Sequence, residues 1–488
     1  MATRTIGLSG LSVYLPPYRV DLERWCDWTG AEWEKIRQVV GTGFRLLGPQ
    51  QSIYTMAANA VLRLIKHYDI DPAKVRYLAL GTESSTDNSA GAIIIKGMVD
   101  KALKGLGFPA LSRNCEVPEF KHACLGGIYG LKNALRFLGV DGADSVAIVV
   151  CADKALYERG SSGEPTQGAG AVAMLLTTEP GIASIDLSQS GTASDYRGVD
   201  FRKPLINRNG TGASPEFVDI PIYNGKYSTS CYVDEMQRAL EDMYRKREIK
   251  AIDHLHAVEA VFMHRPYQRM PETGWGMAYL FALASGDQKE LSELNEYCNS
   301  AGISMDEFIT EVRSAPDLAS FAVRERISDE IFPHGLKILK AFRRSDAFDR
   351  YVRQKISLGT GGMLELGNLY TAALPAWLAA GLEDARQQNI ELKDKEVLLV
   401  GYGSGDAADA IPMKIAAGWR TAVEAINFQA ALSPSIDLSH DQYLALRDRG
   451  VTTGLRYAPS AEFVVDRIGS ETTQIFQDAG IEYYRYVQ

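Results

Sequence analysis

A chain of 488 residues, 46% hydrophobic and 23% charged, can form two or three domains or one large protein with two lobes. The net charge of −9 argues against nucleic acid or an anionic membrane as a partner, although a local group of bases could still bind a phosphate-bearing small molecule. No apolar run reaches signal-peptide or membrane-span length, and the six cysteines form no CxxC pair or disulfide pattern. These features predict a soluble protein of the reducing cytoplasm.

Short apolar runs bounded by glycine or polar residues predict the buried strands of an α/β protein. The predicted strands of the first part of the chain are 75–84, 145–153 and 170–178. Those of the second part are 256–266, 395–405 and 420–428.

The order of features repeats along the chain. In the first part a strand ends at Glu83, a loop-to-helix junction carries Cys124, and two strands follow. In the second part a strand ends at His264, a junction begins at Asn368, and two strands follow. This order predicts two pseudo-duplicated halves, 1–180 and 181–488, whose junctions meet at a central cleft.

The second half contains an insertion. Glu83 and Cys124 are 41 residues apart, whereas His264 and Asn368 are 104 apart, an excess of 63. Residues from about 282 to 350 are rich in charged side chains at helical spacing, which predicts an inserted set of surface helices acting as a solvated cap.

Cys124 stands where a helix is expected to begin. Unpaired backbone N–H groups and the helix dipole at such a position favour thiolate, the nucleophilic form. Gly126 and Gly127 predict an open, uncrowded first turn. The alternative is a cysteine that fills a small site in the core, which is the common fate of a free cysteine.

Glu83, Cys124, His264 and Asn368 together suit acyl transfer followed by carbon–carbon bond formation. A thiolate can hold the acyl group, a carboxylate can remove its α-proton, and an imidazole and an amide can donate hydrogen bonds to carbonyl oxygens. Each residue alone also has a structural interpretation: Glu83 and Asn368 as helix caps, and His264 as an ordinary histidine at a strand end.

Two other motifs are weaker. The segment GYGSGD at 401–406 has Asp406 where a dinucleotide-binding loop has its third glycine. His122, Cys124 and Cys115 have poor spacing for metal ligands and no obvious fourth ligand, so no metal is predicted.

Nine segments appear in the order typical of one family. The chain resembles the 3-hydroxy-3-methylglutaryl-CoA synthases of the thiolase superfamily over nearly its whole length. The matching segments are GTES at 81–84, EFKHACLGG at 119–127, ADKALY at 152–157, PTQGAGAVAMLL at 165–176, DFRKP at 200–204, NGKYSTSCY at 224–232, MHRPYQRM at 263–270, GNLYTAAL at 367–374 and GYGSG at 401–405.

The resemblance implies a five-layered αβαβα thiolase fold and a homodimer that uses acetyl-CoA and acetoacetyl-CoA, with no cofactor beyond the coenzyme A of its substrates. By this resemblance Cys124 is the acetylated nucleophile, Glu83 is the base that forms the acetyl carbanion equivalent, and His264 positions and polarises the acetoacetyl carbonyl. Other matches imply contacts with the acyl group (Asn368 and Ser404) and positions that line the site (Thr166, Ser228, Asp153 and Tyr157).

The identity of the thioester carrier is less clear from the sequence. Arg269 fills the first basic position after the motif histidine, and by the resemblance it is expected to contact a phosphate of coenzyme A. Pro271, Glu272 and Thr273 follow where relatives often have lysines, and Glu272 would repel phosphate. Lys203 and Lys226 are other bases that could reach a coenzyme A phosphate.

The alternatives are therefore a related enzyme of polyketide β-branching that accepts acyl groups from an acyl carrier protein, and a thiolase-fold scaffold that binds acyl-CoA without turnover. A decarboxylating ketoacyl synthase is disfavoured, because that chemistry prefers histidine or asparagine where Glu83 stands.

Overall fold

The computed structural model of the protein describes residues 5–85, 87–203, 220–451, 454–455 and 457–488. Pro204, the last residue of the DFRKP segment, lies outside the described residues. Among the residues that the structure describes, no helix is long and apolar enough to cross a membrane.

The first half alternates strands and helices. In chain order its elements are β1 (Ile6–Tyr14), β2 (Tyr18–Asp21), α1 (Leu22–Thr29), α2 (Trp33–Val39), β3 (Gly43–Leu46), α3 (Ile53–His67), β4 (Val75–Gly81), α4 (Gly91–Gly105), β5 (Glu119–Phe120), α5 (Gly126–Val140), β6 (Val146–Ala155) and β7 (Gly168–Thr178).

The second half is longer and richer in helices. Its elements are β8 (Ala183–Ile185), β9 (Gly191–Ser194), α6 (Gly225–Arg247), α7 (Ala251–Ala257), β10 (Ala260–Met263), α8 (Arg269–Ala284), α9 (Gln288–Ala301), α10 (Met305–Ser314), α11 (Pro333–Phe342), α12 (Asp346–Phe348), α13 (Thr360–Met363), α14 (Ala373–Gln387), β11 (Glu396–Gly403), β12 (Ala407–Ile415), α15 (Trp419–Val423), α16 (Phe428–Ala431), β13 (Ile436–Asp437), α17 (His440–Arg449), β14 (Glu462–Ile468) and β15 (Glu482–Val487).

The main sheet repeats one pairing pattern. Its strands lie in the order β10-β11-β12-β8-β1-β7-β6-β4-β5, with β9 also paired to β12. In the first half β4 runs parallel to β6, which is antiparallel to β7. In the second half β10 runs parallel to β11, which is antiparallel to β12. The short strand β8 pairs with both β1 and β12 and so joins the two halves.

Helices cover both faces of each half-sheet. Helices α3 and α4 pack on the outer face of the first half, and α6 packs on β9 and β12 of the second. Helices α5 and α14 lie between the half-sheets, where α5 contacts β4 and β6 and α14 contacts β10 and β7. Strands enclosed in this way are apolar on both faces, as β6 and β7 are. The αβαβα thiolase fold predicted from the sequence is confirmed.

Close backbone contact fixes the start of α5. A Cβ atom at Gly81 would collide with the backbone of Gly127, and one at Gly127 would collide with the Cys151 sulfur. A Cβ at Gly126 would likewise meet the carbonyl oxygen of Phe120. The prediction of an uncrowded first turn is therefore wrong: the glycines let the end of β4 and the start of α5 touch.

The prediction of a strand at 420–428 is also wrong. These residues form α15 and the start of α16, and the strand after β11 is instead Ala407–Ile415. The insertion is helical, as predicted, but it is more than a solvated cap. Its helices bury Leu294, Phe308 and Phe342 in the main core, because each helix has one apolar face.

Candidate active site

A cavity of about 630 Å³ is lined by residues of both halves. Most of the residues predicted for the site line it: Cys124, Tyr157, Thr166, Ser228, His264, Asn368 and Ser404. Asp153 and Arg269 do not line it, and Glu83 lies against it through its contact with Cys124. Most of the site residues predicted from the sequence therefore line one cavity, although they come from segments spread over almost 300 residues.

Cys124 and Glu83 form a direct pair. The Cys124 Sγ donates a hydrogen bond to Glu83 Oε2 across 3.4 Å. Glu83 follows β4 and Cys124 precedes α5, so the glycine contact between those two elements brings the side chains together. The thiol is 6% exposed, which leaves it reachable only from the cavity.

The electrostatics of this pair differ from the expectation for a helix start. The pKa of the Cys124 thiol is raised well above its ordinary value, first by burial and then by the negative charges of Glu83 and Asp153. The prediction that the position favours thiolate is thus wrong for the unliganded site. The thiol keeps its proton at neutral pH, and the Glu83 carboxylate is placed to accept it.

Asp153 holds the loop that carries Glu83. It is fully buried on β6, and its Oδ1 accepts hydrogen bonds from the backbone N–H groups of Glu83 and Ser84, both at 2.8 Å. Its Oδ2 accepts from the Thr371 backbone N–H at 3.0 Å. Burial raises the pKa of Asp153, and these hydrogen bonds oppose that shift. Asp153 therefore holds the backbone around Glu83 and Thr371 in place without lining the cavity itself.

His264 enters the cavity as a neutral imidazole. It lies directly after β10, and it is 3% exposed. Burial lowers its pKa to about 3, and its Nδ1 has no hydrogen-bond partner within the described residues. Its ring stacks on Tyr402 with centroids 6.3 Å apart. A neutral ring with one N–H can donate a hydrogen bond to a substrate carbonyl at physiological pH.

Asn368 is fixed by its own hydrogen bonds. Its Nδ2 donates to the Tyr157 hydroxyl at 3.0 Å, and its Oδ1 accepts from the Tyr370 backbone N–H at 2.9 Å. Its backbone N–H donates to the Thr166 carbonyl oxygen at 2.9 Å. Ser228 differs, because its buried Oγ lines the cavity without a partner among the described residues. Ser228 is thus available to a ligand, whereas Asn368 is already engaged with the protein.

The chain is similar to known proteins of one kind. The family described as hydroxymethylglutaryl-coenzyme A synthase N terminal matches residues 2–180. Hydroxymethylglutaryl-CoA synthases of Haloferax volcanii and Enterococcus faecalis are 26% and 25% identical to the chain, covering 85% and 91% of it and the same shares of themselves. The Dictyostelium discoideum synthase A is 26% identical over 98% of this chain and 90% of its own. The N-terminal part of the chain thus matches this family, and the chain as a whole is similar to hydroxymethylglutaryl-CoA synthases.

Solved structures show the same fold. MvaS in complex with 3-hydroxy-3-methylglutaryl coenzyme A has a TM-score of 0.75 at 22% identity, over 99% of this chain and all of that one. The HMG synthase of the curacin biosynthetic pathway, in complex with acetyl donor-ACP, has a TM-score of 0.69 at 17% identity over the same shares.

Lys203 lies close to the Cys124 and Glu83 pair. Its Nζ donates to the Glu83 carbonyl oxygen at 3.5 Å and lies 5.7 Å from the centre of the Tyr370 ring. Its charge lowers the pKa of Cys124, against the larger effects that raise it. Lys226 pairs with Glu330 of the insertion at 2.8 Å. That these lysines reach a coenzyme A phosphate stays a prediction.

The mouth of the cavity also differs from the sequence expectation. Lys35 of α2 is the single lysine or arginine among the described residues that line the cavity. Glu272 forms an ion pair with Arg343 of the insertion at 3.1 Å, and Arg353 approaches it at 3.9 Å. The carboxylate that would repel a phosphate is therefore neutralised by residues far away in the sequence.

Some residues of the site were missed. Phe201 and Tyr370 pack edge-to-face on Tyr157 beside Cys124, and both have positive φ angles, 39° and 46°. Both lie inside segments that resemble the family, so their aromatic character there was a usable signal. Lys35 had no such signal, because nothing in its sequence context connects α2 with a cavity built around α5.

Proposed function

We propose that this protein condenses acetyl-CoA with acetoacetyl-CoA to give 3-hydroxy-3-methylglutaryl-CoA, through an acetyl group held on Cys124. The observation that carries the proposal is the hydrogen bond from the Cys124 thiol to the Glu83 carboxylate, inside a cavity that also contains His264. A thiol beside a general base is the arrangement that nucleophilic catalysis requires.

The first step is acyl transfer. Glu83 accepts the thiol proton as the Cys124 sulfur attacks the thioester carbonyl of acetyl-CoA. The carbon–sulfur bond to coenzyme A then breaks, and coenzyme A leaves as its thiol with the proton from Glu83, which returns to the carboxylate form as the acetyl-enzyme forms. Lys203, whose charge lowers the thiol pKa, stabilises the negative charge that this proton transfer exposes. The aromatic rings of Tyr157, Phe201 and Tyr370 surround the sulfur and limit the room for the acyl group.

The second step makes the carbon–carbon bond. Glu83, ionised again, removes a proton from the acetyl methyl group, and the resulting carbanion equivalent attacks the ketone carbon of acetoacetyl-CoA. The neutral His264 donates a hydrogen bond to the oxygen of that ketone, where negative charge develops. Water then hydrolyses the bond to Cys124 and restores the thiol.

Coenzyme A is the thioester carrier that we propose for both substrates. Lys35 at the mouth is placed to meet a phosphate. A carrier-protein substrate is the second candidate. Its support is Arg269, which lies outside the cavity lining and beside Arg343, an arginine that also pairs with Glu272.

We propose a cytoplasmic homodimer that acts in the mevalonate route to isoprenoids and needs no cofactor beyond the coenzyme A of its substrates. Size-exclusion chromatography with light scattering tests the dimer, and full activity after treatment with a chelator tests the absence of a required metal.

Two measurements test the function. Incubation with acetyl-CoA alone should place one acetyl group on Cys124, read from the mass of its peptide. Addition of acetoacetyl-CoA should then release 3-hydroxy-3-methylglutaryl-CoA. Parallel rates with acetoacetyl-carrier protein separate the two carriers, and a faster carrier-protein reaction would move the assignment to β-branching.

A further inference from the structure

Two buried carboxyl groups face each other beside the cavity. Asp200 lines the cavity, and Asp406 follows β11 in the turn to β12. They are 1% and 3% exposed. Together with the thiol of Cys231 on α6, each offers an oxygen or sulfur atom within 4.8 Å of the others.

The hydroxyl group of Tyr402 joins the two carboxyl groups. It lies 2.6 Å from Asp200 Oδ2 and 2.9 Å from Asp406 Oδ1. A tyrosine hydroxyl has a single hydrogen to donate, so it donates to one carboxylate and accepts from the other group in its acid form. The remaining oxygens, Asp200 Oδ1 and Asp406 Oδ2, are buried without a hydrogen-bond partner among the described residues. The geometry thus calls for a proton on the pair.

The surrounding charges do not remove the need for that proton. Among the residues that the structure describes, the nearest cation is Arg197, whose Nε lies 3.7 Å from Asp406 Oδ2. Arg197 is shared with three other carboxylates, and one of these also pairs with Arg238. The other charged and titratable groups that face the pair are Asp195, Asp234, Glu235, Arg238, Tyr223, Tyr227 and Cys231. Burial, followed by the charge of Asp200, raises the pKa of Asp406 to about 9.

We propose that Asp200 and Asp406 share one proton at neutral pH and deliver it to the substrate oxygen that becomes negative when the carbon–carbon bond forms. This inference rests on the proposed function. Asp200 is the group that contacts the substrate, and Asp406 is a positioning residue that keeps the proton on the pair. The two carboxyl groups thus act as a proton store at the side of the cavity that holds His264, where Tyr402 stacks on the imidazole ring.

The proton balance of the reaction identifies a need for this store. The attacked ketone oxygen ends as a hydroxyl group, so an O–H bond must form there. His264 is neutral and would become an anion if it gave up its remaining ring proton, whereas Glu83 works beside the Cys124 sulfur. The O–H bond of the pair breaks as the product hydroxyl forms. The pair then regains a proton from the one released when hydrolysis of the thioester gives a carboxylate.

The variant Asp406→Asn tests the inference by kinetics. Asparagine keeps the size and a hydrogen bond to Tyr402 but cannot share a proton. Acetylation of Cys124 by acetyl-CoA alone should be unchanged, while condensation should slow by about 10²-fold. In the wild type kcat should fall as pH rises past about 9, because the pair then loses its proton. The variant should lack this fall, because an asparagine at position 406 does not titrate.

Infrared spectroscopy tests the proton directly. Protein labelled with ¹³C-aspartate should show, at pH 7, the carbonyl band of a protonated carboxyl group, and Asp406→Asn should lack it. Asp195→Asn is the matched control, because Asp195 contacts the same Arg197 but is mostly exposed. It should keep both the band and the pH profile. Tyr402→Phe, which retains both carboxyl groups, should shift the band and slow condensation, and it decides the matter if Asp406→Asn does not fold.

Three results would overturn the proposal: no carboxyl band in the wild type, an unchanged pH profile in Asp406→Asn, or one equivalent of zinc in the purified protein that Asp406→Asn lacks. The last result would assign Asp200, Cys231 and Asp406 to a metal ion. Failure of the proposed function would be seen separately. A wild type that neither acetylates Cys124 nor forms product would contradict that function, whereas the infrared band reports only on the shared proton.

Discussion

The junctions before α5 and α14 occupy equivalent places in the duplicated halves, but they carry different chemistry. Each precedes a buried helix of 15 residues between the half-sheets. Cys124, at the first junction, has a raised pKa and a proton that it can give to Glu83. Asn368, at the second, is held by hydrogen bonds to three other residues. The first junction thus provides the reactive thiol, and the second provides an asparagine that the protein holds in a fixed position.

Both junctions use strained backbone. Ala123, directly before Cys124, has a φ of 43°, and Tyr370, two residues after Asn368, has a φ of 46°. Residues other than glycine pay of order 1–2 kcal/mol for this left-handed region. The strain persists because surrounding contacts hold each segment. One of them is the hydrogen bond that the Thr371 backbone N–H donates to Asp153, which connects the second junction to the first half. The two junctions are therefore positioned as one unit.

Replacing the nucleophile at the first junction should abolish its covalent chemistry. Cys124→Ser should lose covalent acetylation and reduce kcat by about 10⁴-fold or more, because a serine hydroxyl is a much weaker nucleophile without a stronger base. Mass spectrometry of the acetyl-CoA-treated protein and steady-state rates measure both effects. Cys115→Ser, at a cysteine outside the cavity, is the control and should behave as wild type. An acetyl group on any cysteine other than Cys124 would contradict the assignment.

Removing the base should separate the two chemical steps. Glu83→Ala removes the acceptor of the thiol proton, but it also removes a negative charge that raises the thiol pKa, so the two effects on acetylation offset each other. Nothing replaces Glu83 in taking a proton from the acetyl methyl group, so condensation should fall by about 10²- to 10⁴-fold. Rapid-quench measurement of acetyl-enzyme, beside the overall rate, checks this division. A folded Glu83→Ala protein that cannot be acetylated would refute it.

Changing the second junction should cost less. Asn368→Ala removes the bonds to the Tyr157 hydroxyl and the Tyr370 N–H, which position aromatic rings around the sulfur. We expect kcat to fall by about 10²-fold, since misplaced substrate-positioning groups have effects of this size, with acetylation still detectable. Thermal unfolding should show a modest loss of stability, because buried polar groups lose partners. Loss of acetylation equal to that in Cys124→Ser would mean that the two junctions do not differ as described.

Much of this comparison could be predicted from the sequence. The apolar runs predicted the positions of β4, β6, β7 and β11 to within a few residues, because enclosed strands must be apolar on both faces. The repeated order of features predicted the duplication. The strand proposed at 420–428 failed because a mixed run with alanine and valine also suits short helices. Local periodicity cannot choose between the two without the tertiary neighbours.

The pKa values and charge pairs of the site were less predictable from the sequence than the identity of the site residues. The helix start at Cys124 suggested a lowered thiol pKa, but the sequence could not show that two carboxylates would lie beside the sulfur. The pairing of Glu272 with Arg343 joins residues 71 positions apart, and local sequence contains no trace of it. Contacts of this kind depend on how the insertion packs against α8.

Variants of the basic residues Lys35 and Arg269 have the smallest expected effects on activity. They test whether coenzyme A or a carrier protein bears the substrate. Lys35 lines the cavity, whereas Arg269 lies outside that lining beside Arg343. For a coenzyme A substrate, Lys35→Ala should raise KM by about 3- to 10-fold with kcat unchanged, since an exposed charge contact contributes about 1 kcal/mol and binds ground and transition states alike. The effect should shrink as salt is added. Arg269→Ala should change KM for coenzyme A substrates less than Lys35→Ala does. If instead Arg269→Ala selectively weakens activity with carrier-borne acetoacetate and Lys35→Ala changes nothing, the basic group at the start of α8 serves a carrier protein.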